Sequence, residues 1–215
     1  ELCRCLAEQG GAVLEAPPGA GKSTRMPLVL LDAPWRGDDR ILVLEPRRVA
    51  ARAVAGFMAQ QLGESVGQTV GYRTRLDTRV SAATRIEVVT EGVLTRMLRA
   101  DPALEGYAAV LFDEFHERSL QADLGLALVQ EVRQALREDL RLLVMSATLE
   151  VGPLAEGLSL PTVRSEGRVF PVEVSHAPPG RDQDVWDHCA RQVETLAGEG
   201  TVLVFLPGVG EIERL

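Results

Sequence analysis

Short apolar runs alternate with longer amphipathic stretches along most of this chain. "GAVLEA" (11–16), "RILVLE" (40–45), "TRIEVVT" (84–90), "YAAVLFDE" (107–114) and "LRLLVMSAT" (140–148) are nearly continuous apolar runs, not alternations of apolar and polar residues. A strand that is apolar on both sides is covered on both sides, so these runs predict the central strands of a parallel sheet. Helix-length segments lie between them. "STRMPLVLLDA" (23–33) reads as one; a second is opened by Pro46 and runs to about Leu62; a third covers 91–100; a long amphipathic one reaches about Arg137. Proline suits a first helical turn, which is why the second is started at Pro46. Strand, loop and helix in repetition predict an α/β domain, with helices on both faces of a mostly parallel sheet.

The pattern breaks over 151–180 into segments containing proline and glycine, "VGPLAEGLSLP", "SEGRVFPVEV" and "HAPPG". A boundary is placed there, with one domain over 1–167 and a second starting at 168. A helix over about 182–198 and a strand, "TVLVFLP" (201–207), follow, and "GEIERL" reads as the opening of another helix. The first ten residues read as the tail of a helix, so the expectation is a piece of a longer protein.

Composition narrows the class. The 215 residues are 46% hydrophobic and 25% charged, an ordinary globular balance. No apolar run approaches the ~18 residues of a membrane span. Three cysteines, an odd number, argue for a reducing compartment such as the cytoplasm. Cys3 and Cys5 read as ordinary thiols in a helix, since no second pair completes a metal site. The net charge of −8 gives no support for indiscriminate nucleic-acid binding, so any such case must come from local arginines.

"APPGAGKS" (16–23) lies where a strand hands over to a helix. It fits G-x-x-x-x-G-K-[ST] except at its first position, where Ala16 stands. Gly19 and Gly21 let the backbone of Gly19, Ala20, Gly21, Lys22, Ser23 and Thr24 turn N–H groups toward phosphate oxygens, and Ser23 offers a hydroxyl to Mg²⁺. Lys22 is the only lysine among 23 basic residues; every other is arginine. A compact ammonium on a flexible stem fits inside a tight loop where a planar guanidinium does not. Asp113 and Glu114 end another buried run, in "LFDEFHERS" (111–119). Beside a phosphate loop, one carboxylate can anchor Mg²⁺ and the other can orient and deprotonate an attacking water.

"DEFH" (113–116) resembles the Asp-Glu-x-His motif of the DEAH-box helicases of superfamily 2. "EPRRVAARAVA" (45–55), "TEGVLTR" (90–96), "SAT" (146–148) and "LVFLPGVGEI" (203–212) are similar to that family's motifs Ia, Ib, III and IV, in order. "APPGAGKST", "DEFHERSLQADL", "SEGRVFPVE" and "FLPGVGEI" together resemble its bacterial HrpB-type branch, over roughly residues 11–213. The resemblance implies a RecA-like P-loop NTPase domain followed by the start of a second one. It implies an ATP-dependent RNA helicase using ATP and Mg²⁺ on single-stranded RNA. By the same resemblance Lys22 holds phosphates, Ser23 and Asp113 serve Mg²⁺, and Glu114 positions water. His116, Ser146 and Thr148 couple the nucleotide state to the domain interface, while Arg47, Arg48, Thr90 and Gly92 touch the nucleic-acid backbone.

The residues alone leave alternatives. Arg47 and Arg48 read equally as surface ion-pair partners. "GYRTR" (71–75) is either a further RNA contact or an edge strand. Phe57 stands where many relatives carry an arginine that stacks on the base; it reads first as core on an amphipathic helix and second as a stacking face. A DNA translocase with the same core and a nucleotide-switched RNA-binding assembly factor are the rival functions. The family's catalytic arginine motif is not in the 215 residues, so the chain alone is expected to bind nucleotide but scarcely hydrolyse it, and to bind RNA poorly.

Overall fold

A computed structural model describes residues 1–147, 151–166, 171–198 and 200–215, and the chain divides into two compact units, residues 1–168 and 169–215. In the first unit α1 (Leu2–Glu8) leads into β1 (Gly11–Glu15), α2 (Lys22–Val29), β2 (Arg40–Leu44) and α3 (Arg48–Gln61). Then come β3 (Val70–Arg73), β4 (Thr78–Arg79), β5 (Ile86–Val89), α4 (Glu91–Ala100) and β6 (Tyr107–Phe112). α5 (Leu120–Ala135), β7 (Arg141–Ser146), α6 (Gly152–Leu158) and β8 (Thr162–Arg164) complete it.

The eight strands form one sheet in the order β4-β3-β5-β2-β6-β7-β1-β8. Every pairing is parallel except that of β3 with β4. The continuous apolar runs are explained by two cores, one on each face. Ala12, Leu14, Ile41, Val43, Ala109 and Leu111 face α1, α2 and α3 with Leu6, Leu30 and Met58. Val13, Leu42, Leu44, Val110 and Phe112 face the other way, packing with Leu94, Leu98 and Val129 of α4 and α5. Successive side chains of a strand point to opposite faces, so a run must be apolar throughout to feed both cores. Gly125 lets α5 come close: a Cβ there would lie 3.1 Å from Leu94 Cδ2 and 3.6 Å from the Phe112 ring.

Several expectations need correction. α3 starts at Arg48, not Pro46, because Arg47 keeps extended backbone (φ −112°, ψ 130°) as the cap residue. β3 is not an edge strand: the antiparallel β4 lies outside it, and Tyr72 and Arg73 are engaged by Asp77 and Glu87. The segment 151–161 is not simply irregular, since α6 forms in it with Pro153 in its first turn. β8 extends the sheet past β1, pairing Val163 with Leu14. Phe57 is not core, being 49% exposed, because the buried stripe of α3 is Ala51, Ala55, Met58 and Ala59 and position 57 falls beside it.

The second unit contains α7 (Val185–Ala197), capped by the Asp184 carboxylate on the N–H groups of Trp186 and Asp187, and α8 (Val209–Arg214). The expected strand at 201–207 does not form: the segment has no ladder partner among the described residues, and Leu203 and Phe205 stand exposed. A strand needs a neighbour to satisfy its backbone groups, and none of the described residues supplies one.

One buried charge anchors the first unit on the β3 side. Glu87 is fully buried and accepts from Arg73 Nε at 2.7 Å, Arg40 Nη1 at 3.4 Å and the Tyr107 hydroxyl at 2.8 Å. Both arginines reach solvent, with side chains 29% and 38% exposed. Glu87→Ala is therefore expected to cost about 2–3 kcal/mol, somewhat below the ~3–5 kcal/mol typical of breaking a fully buried pair. Urea denaturation would measure it, with Val49→Ala, at a position 82% exposed, as a control shifting stability by no more than about 0.5 kcal/mol.

Candidate functional site: the C-terminal edge of the sheet

Parallel strands deliver all their following loops to one edge, and ligands of open α/β sheets bind there. The phosphate-type loop leaves β1 at that edge, the acidic turn leaves β6, and β7 lies between them. The Ala16 N–H donates to Ser146 O at 3.1 Å and the Asp113 N–H to Leu44 O at 3.0 Å, so both loops depart from hydrogen-bonded strand ends. Gly19 and Gly21 have φ of +78° and +80°, conformations costly for any residue with a Cβ. The loop then enters α2 at Lys22, whose side chain folds back so that Nζ donates to Pro17 O at 3.4 Å. Lys22 is 5% exposed. A buried ammonium with one long contact has donors to spare, and the first-turn N–H groups of α2 also lack intrahelical partners. An anion of several oxygens would satisfy both.

Asp113 is 4% exposed. Its Oδ1 accepts from the Glu114 N–H at 2.9 Å, while Oδ2 is buried with no hydrogen-bond partner. Burial pushes its pKa up; the Ser23 side chain and the Glu114 N–H pull the other way. The structure thus brings Ser23 and Asp113 together across two loops. An orphaned carboxylate oxygen beside a serine hydroxyl fits an Mg²⁺ ion, a hard cation that takes oxygen ligands and keeps several waters. Among the described residues no three His, Cys, Asp or Glu side chains converge on one point, so the protein alone forms no metal cage.

Glu114 takes the left-handed conformation, φ 49° and ψ 34°, sparsely populated for a residue with a side chain. This turns its carboxylate back from the strand line toward His116, whose Nε2 lies 3.3 Å from Glu114 Oε2. The Ala147 N–H donates to His116 Nδ1 at 3.2 Å. That nitrogen is therefore the acceptor, and a neutral ring carries its proton on Nε2, facing Glu114. His116 ties the acidic turn to the end of β7. Ser146 is buried at that strand end, and Thr148 lies outside the described residues.

The nucleic-acid candidates lie on the next two strand ends. Arg47 is exposed and pairs with Glu117 at 2.5 Å, so the ion-pair reading of this arginine holds in this state and joins α3 to the acidic turn. Arg48 opens α3 and lines a small cavity of about 140 Å³ with Arg52, Thr74 and Leu76. Thr90 caps α4 with its backbone only and is 9% exposed. Gly92 is exposed and borders a cleft of about 520 Å³ with Thr95, Arg96, Arg99 and Gln121. The structure does not bring these four residues into one cluster with Lys22.

Glu45 escaped the sequence reading. It ends β2's run as Asp113 ends β6's, and that parallel was the available signal. Glu45 is 4% exposed and its Oε2 has no partner. Burial, then the charges of Asp113, Glu114 and Glu117, push its carboxyl up to about 8, with Arg47 opposing.

Comparison with known proteins covers the same ground. The family model for the DEAD/DEAH box helicase matches residues 1–156. The chain is 54% identical over 218 residues to the ATP-dependent RNA helicase HrpB of Escherichia coli, covering 100% of the chain and 27% of that protein. It is 37% identical to the human probable ATP-dependent RNA helicase DHX35, covering 94% of the chain and 31% of that protein. A crystal structure of Escherichia coli DEAH/RHA helicase HrpB superposes with a TM-score of 0.83 at 52% identity, over 95% of this chain and 26% of that one. The chain therefore spans roughly a quarter to a third of the length of these relatives.

Glu45 makes stability depend on pH. Between pH 4.5 and about 8 the folded state keeps a proton that the unfolded chain has released, so stability falls as pH rises through this window. Glu45→Gln carries no such proton. Its stability relative to the parent is expected to rise from pH 4.5 to pH 8.5, by at most about 5 kcal/mol at ~1.4 kcal/mol per unit. Denaturant midpoints of both proteins across that range would measure it; a pH-independent difference would contradict it.

Proposed function

The chain belongs to the DEAD/DEAH box helicase family, and on that premise we propose that it is the ATP-binding part of an ATP-dependent RNA helicase that moves along or remodels single-stranded RNA. One observation carries the reading. The chain's sole lysine is buried inside the glycine loop, one residue from the serine that faces a buried carboxylate with a free oxygen. That arrangement suits a polyphosphate with a divalent cation and little else.

In this reading, residues 1–167 are the first RecA-like domain and 168–215 belong to a second. Lys22 and the backbone of Gly19, Ala20, Gly21, Ser23 and Thr24 hold the phosphates. Ser23 and Asp113 hold the cation. Mg²⁺, when bound, neutralises charge on the phosphate oxygens. Glu114 orients the attacking water and accepts its proton, with His116 fixing the carboxylate from the other side. Hydrolysis then consumes water and ATP and releases ADP and phosphate. Ser146, at the end of β7, and Thr148 report the nucleotide state to the rest of the protein. Arg47, Arg48, Thr90 and Gly92 bind the RNA backbone, which implies little sequence preference. For Arg47 that requires exchanging Glu117 for a phosphate oxygen. No described helix is long and apolar enough to cross a membrane, and three free cysteines suit a reducing cytoplasm.

Two outcomes are expected. Lys22→Ala and Lys22→Arg should each weaken Mg²⁺-ADP binding by at least about tenfold, ~1.4 kcal/mol, in calorimetry. Wild-type affinity in the arginine variant would show that charge alone suffices and remove the role given to the lysine. In the intact protein, Glu114→Gln should keep nucleotide affinity and slow RNA-stimulated phosphate release by about 10²–10⁴-fold. Undiminished release would take Glu114 out of the mechanism, and turnover indifferent to RNA would remove the helicase reading.

A further inference from the structure

Among the described residues three buried side-chain atoms lack a hydrogen-bond partner, and two of them are carboxylate oxygens at this edge: Asp113 Oδ2 and Glu45 Oε2. Their strands are neighbours. β2 and β6 pair in parallel with Leu44 opposite Phe112, so Glu45 and Asp113 are the next residues on each. The backbone fixes both, since the Asp113 N–H bonds Leu44 O at 3.0 Å and the Glu45 N–H bonds Val89 O at 2.9 Å. Asp113 is the charge that acts most strongly on Glu45.

A buried carboxyl oxygen without a partner is costly, because it has given up its hydrogen bonds to water and gained none in return. The same sheet deals with another buried glutamate differently: Glu87 has three donors around it. Glu45 has an arginine nearby, but Arg47 is committed to Glu117. Its open oxygen thus lies beside the acid to which the cation role falls, on the β2 side of it.

We propose that Glu45 is a positioning residue for the hydrated divalent cation that accompanies the nucleotide, accepting through its open oxygen a hydrogen bond from a cation-bound water on the β2 side of Asp113. A cation of this kind keeps several of its waters, and those waters need acceptors. Outer partners of this sort orient inner ligands and typically change metal affinity by about 10–100-fold. Either protonation state of a carboxyl presents an acceptor oxygen, so the contact does not depend on charge. Glu45 also sits between the strand carrying the acidic pair and the one leading to Thr90, so the cation's water shell would extend from the phosphate side of the edge toward the nucleic-acid side.

The inference rests on the proposed nucleotide site, and its test separates the two. ADP affinity is measured by calorimetry in Mg²⁺ and in EDTA for the wild type, Glu45→Ala and Glu45→Gln. The ratio of the two affinities is the readout, and the EDTA value together with circular dichroism reports whether each variant is folded. Glu45→Ala is expected to lower the Mg²⁺ enhancement by about tenfold with the EDTA affinity unchanged. Glu45→Gln, whose amide oxygen still accepts, should stay within about twofold of wild type. An unchanged enhancement in Glu45→Ala overturns the inference and leaves the nucleotide site standing. Equal loss in Glu45→Gln overturns it as well, because an acceptor alone would then not suffice. Failure of the wild type to bind ADP under either condition would remove the proposed function, and this inference with it.

Discussion

The parallel pairing of β1 with β7 and of β7 with β6 is the constraint on which the site depends. It sets Glu15 opposite Ser146 and Phe112 opposite Val144. Three strands in register then release their loops at one edge, within two residues of one another. The glycine loop, Ser146 and the acidic turn become neighbours although about ninety residues separate the first from the last. Nothing in the loops needs to hold this arrangement together, because the apolar residues on the two faces of each strand do so. The loops are free to carry buried charge and uncommon backbone angles.

They carry both. Gly19 and Gly21 take positive φ cheaply, but Glu114 and Arg118 take φ of 49° and 45° with full side chains. Strain of this kind persists only where the surroundings over-determine it. At Glu114 the Asp113 Oδ1 contact and His116 do this. The contrast between buried carboxylates is equally informative. Glu87 lies deep in the sheet with every oxygen engaged, and its role is to tie β3, β2 and β6 together. Asp113 and Glu45 lie at the ligand edge with an oxygen each left open. Among the described buried carboxylates the unsatisfied oxygens lie at the edge where ligands bind, and this distinguishes the candidate site from a carboxylate that merely holds the fold.

Much of this was legible in the sequence where the signal was long or chemically peculiar. The five apolar runs predicted the five central strands because both faces of each had to be apolar. One lysine among arginines pointed to the loop before any geometry was known. What escaped was set by tertiary context. β8 is three residues long, too short to show a period, and exists because Val163 can pair with Leu14. "TVLVFLP" has strand composition, yet composition cannot provide the neighbour that a ladder needs. Phe57 looked like core because α3 is amphipathic, but the narrow alanine-rich stripe excludes it. Arg47 was open between an ion pair and a phosphate contact, and its partner, Glu117, is seventy residues away. Glu45 passed as the polar end of a strand because sequence does not show that a carboxylate is left without a donor.

The central claim is that the glycine loop and the acidic turn form one divalent-cation and polyphosphate site. Its most direct measurement is a crystal structure with Mn²⁺ and ADP, with the metal located by anomalous scattering. The account predicts one strong peak beside Asp113 and Ser23, with the β-phosphate inside the loop at Lys22. A nucleotide bound elsewhere, or a metal peak away from Asp113 with ADP in the loop, would contradict it.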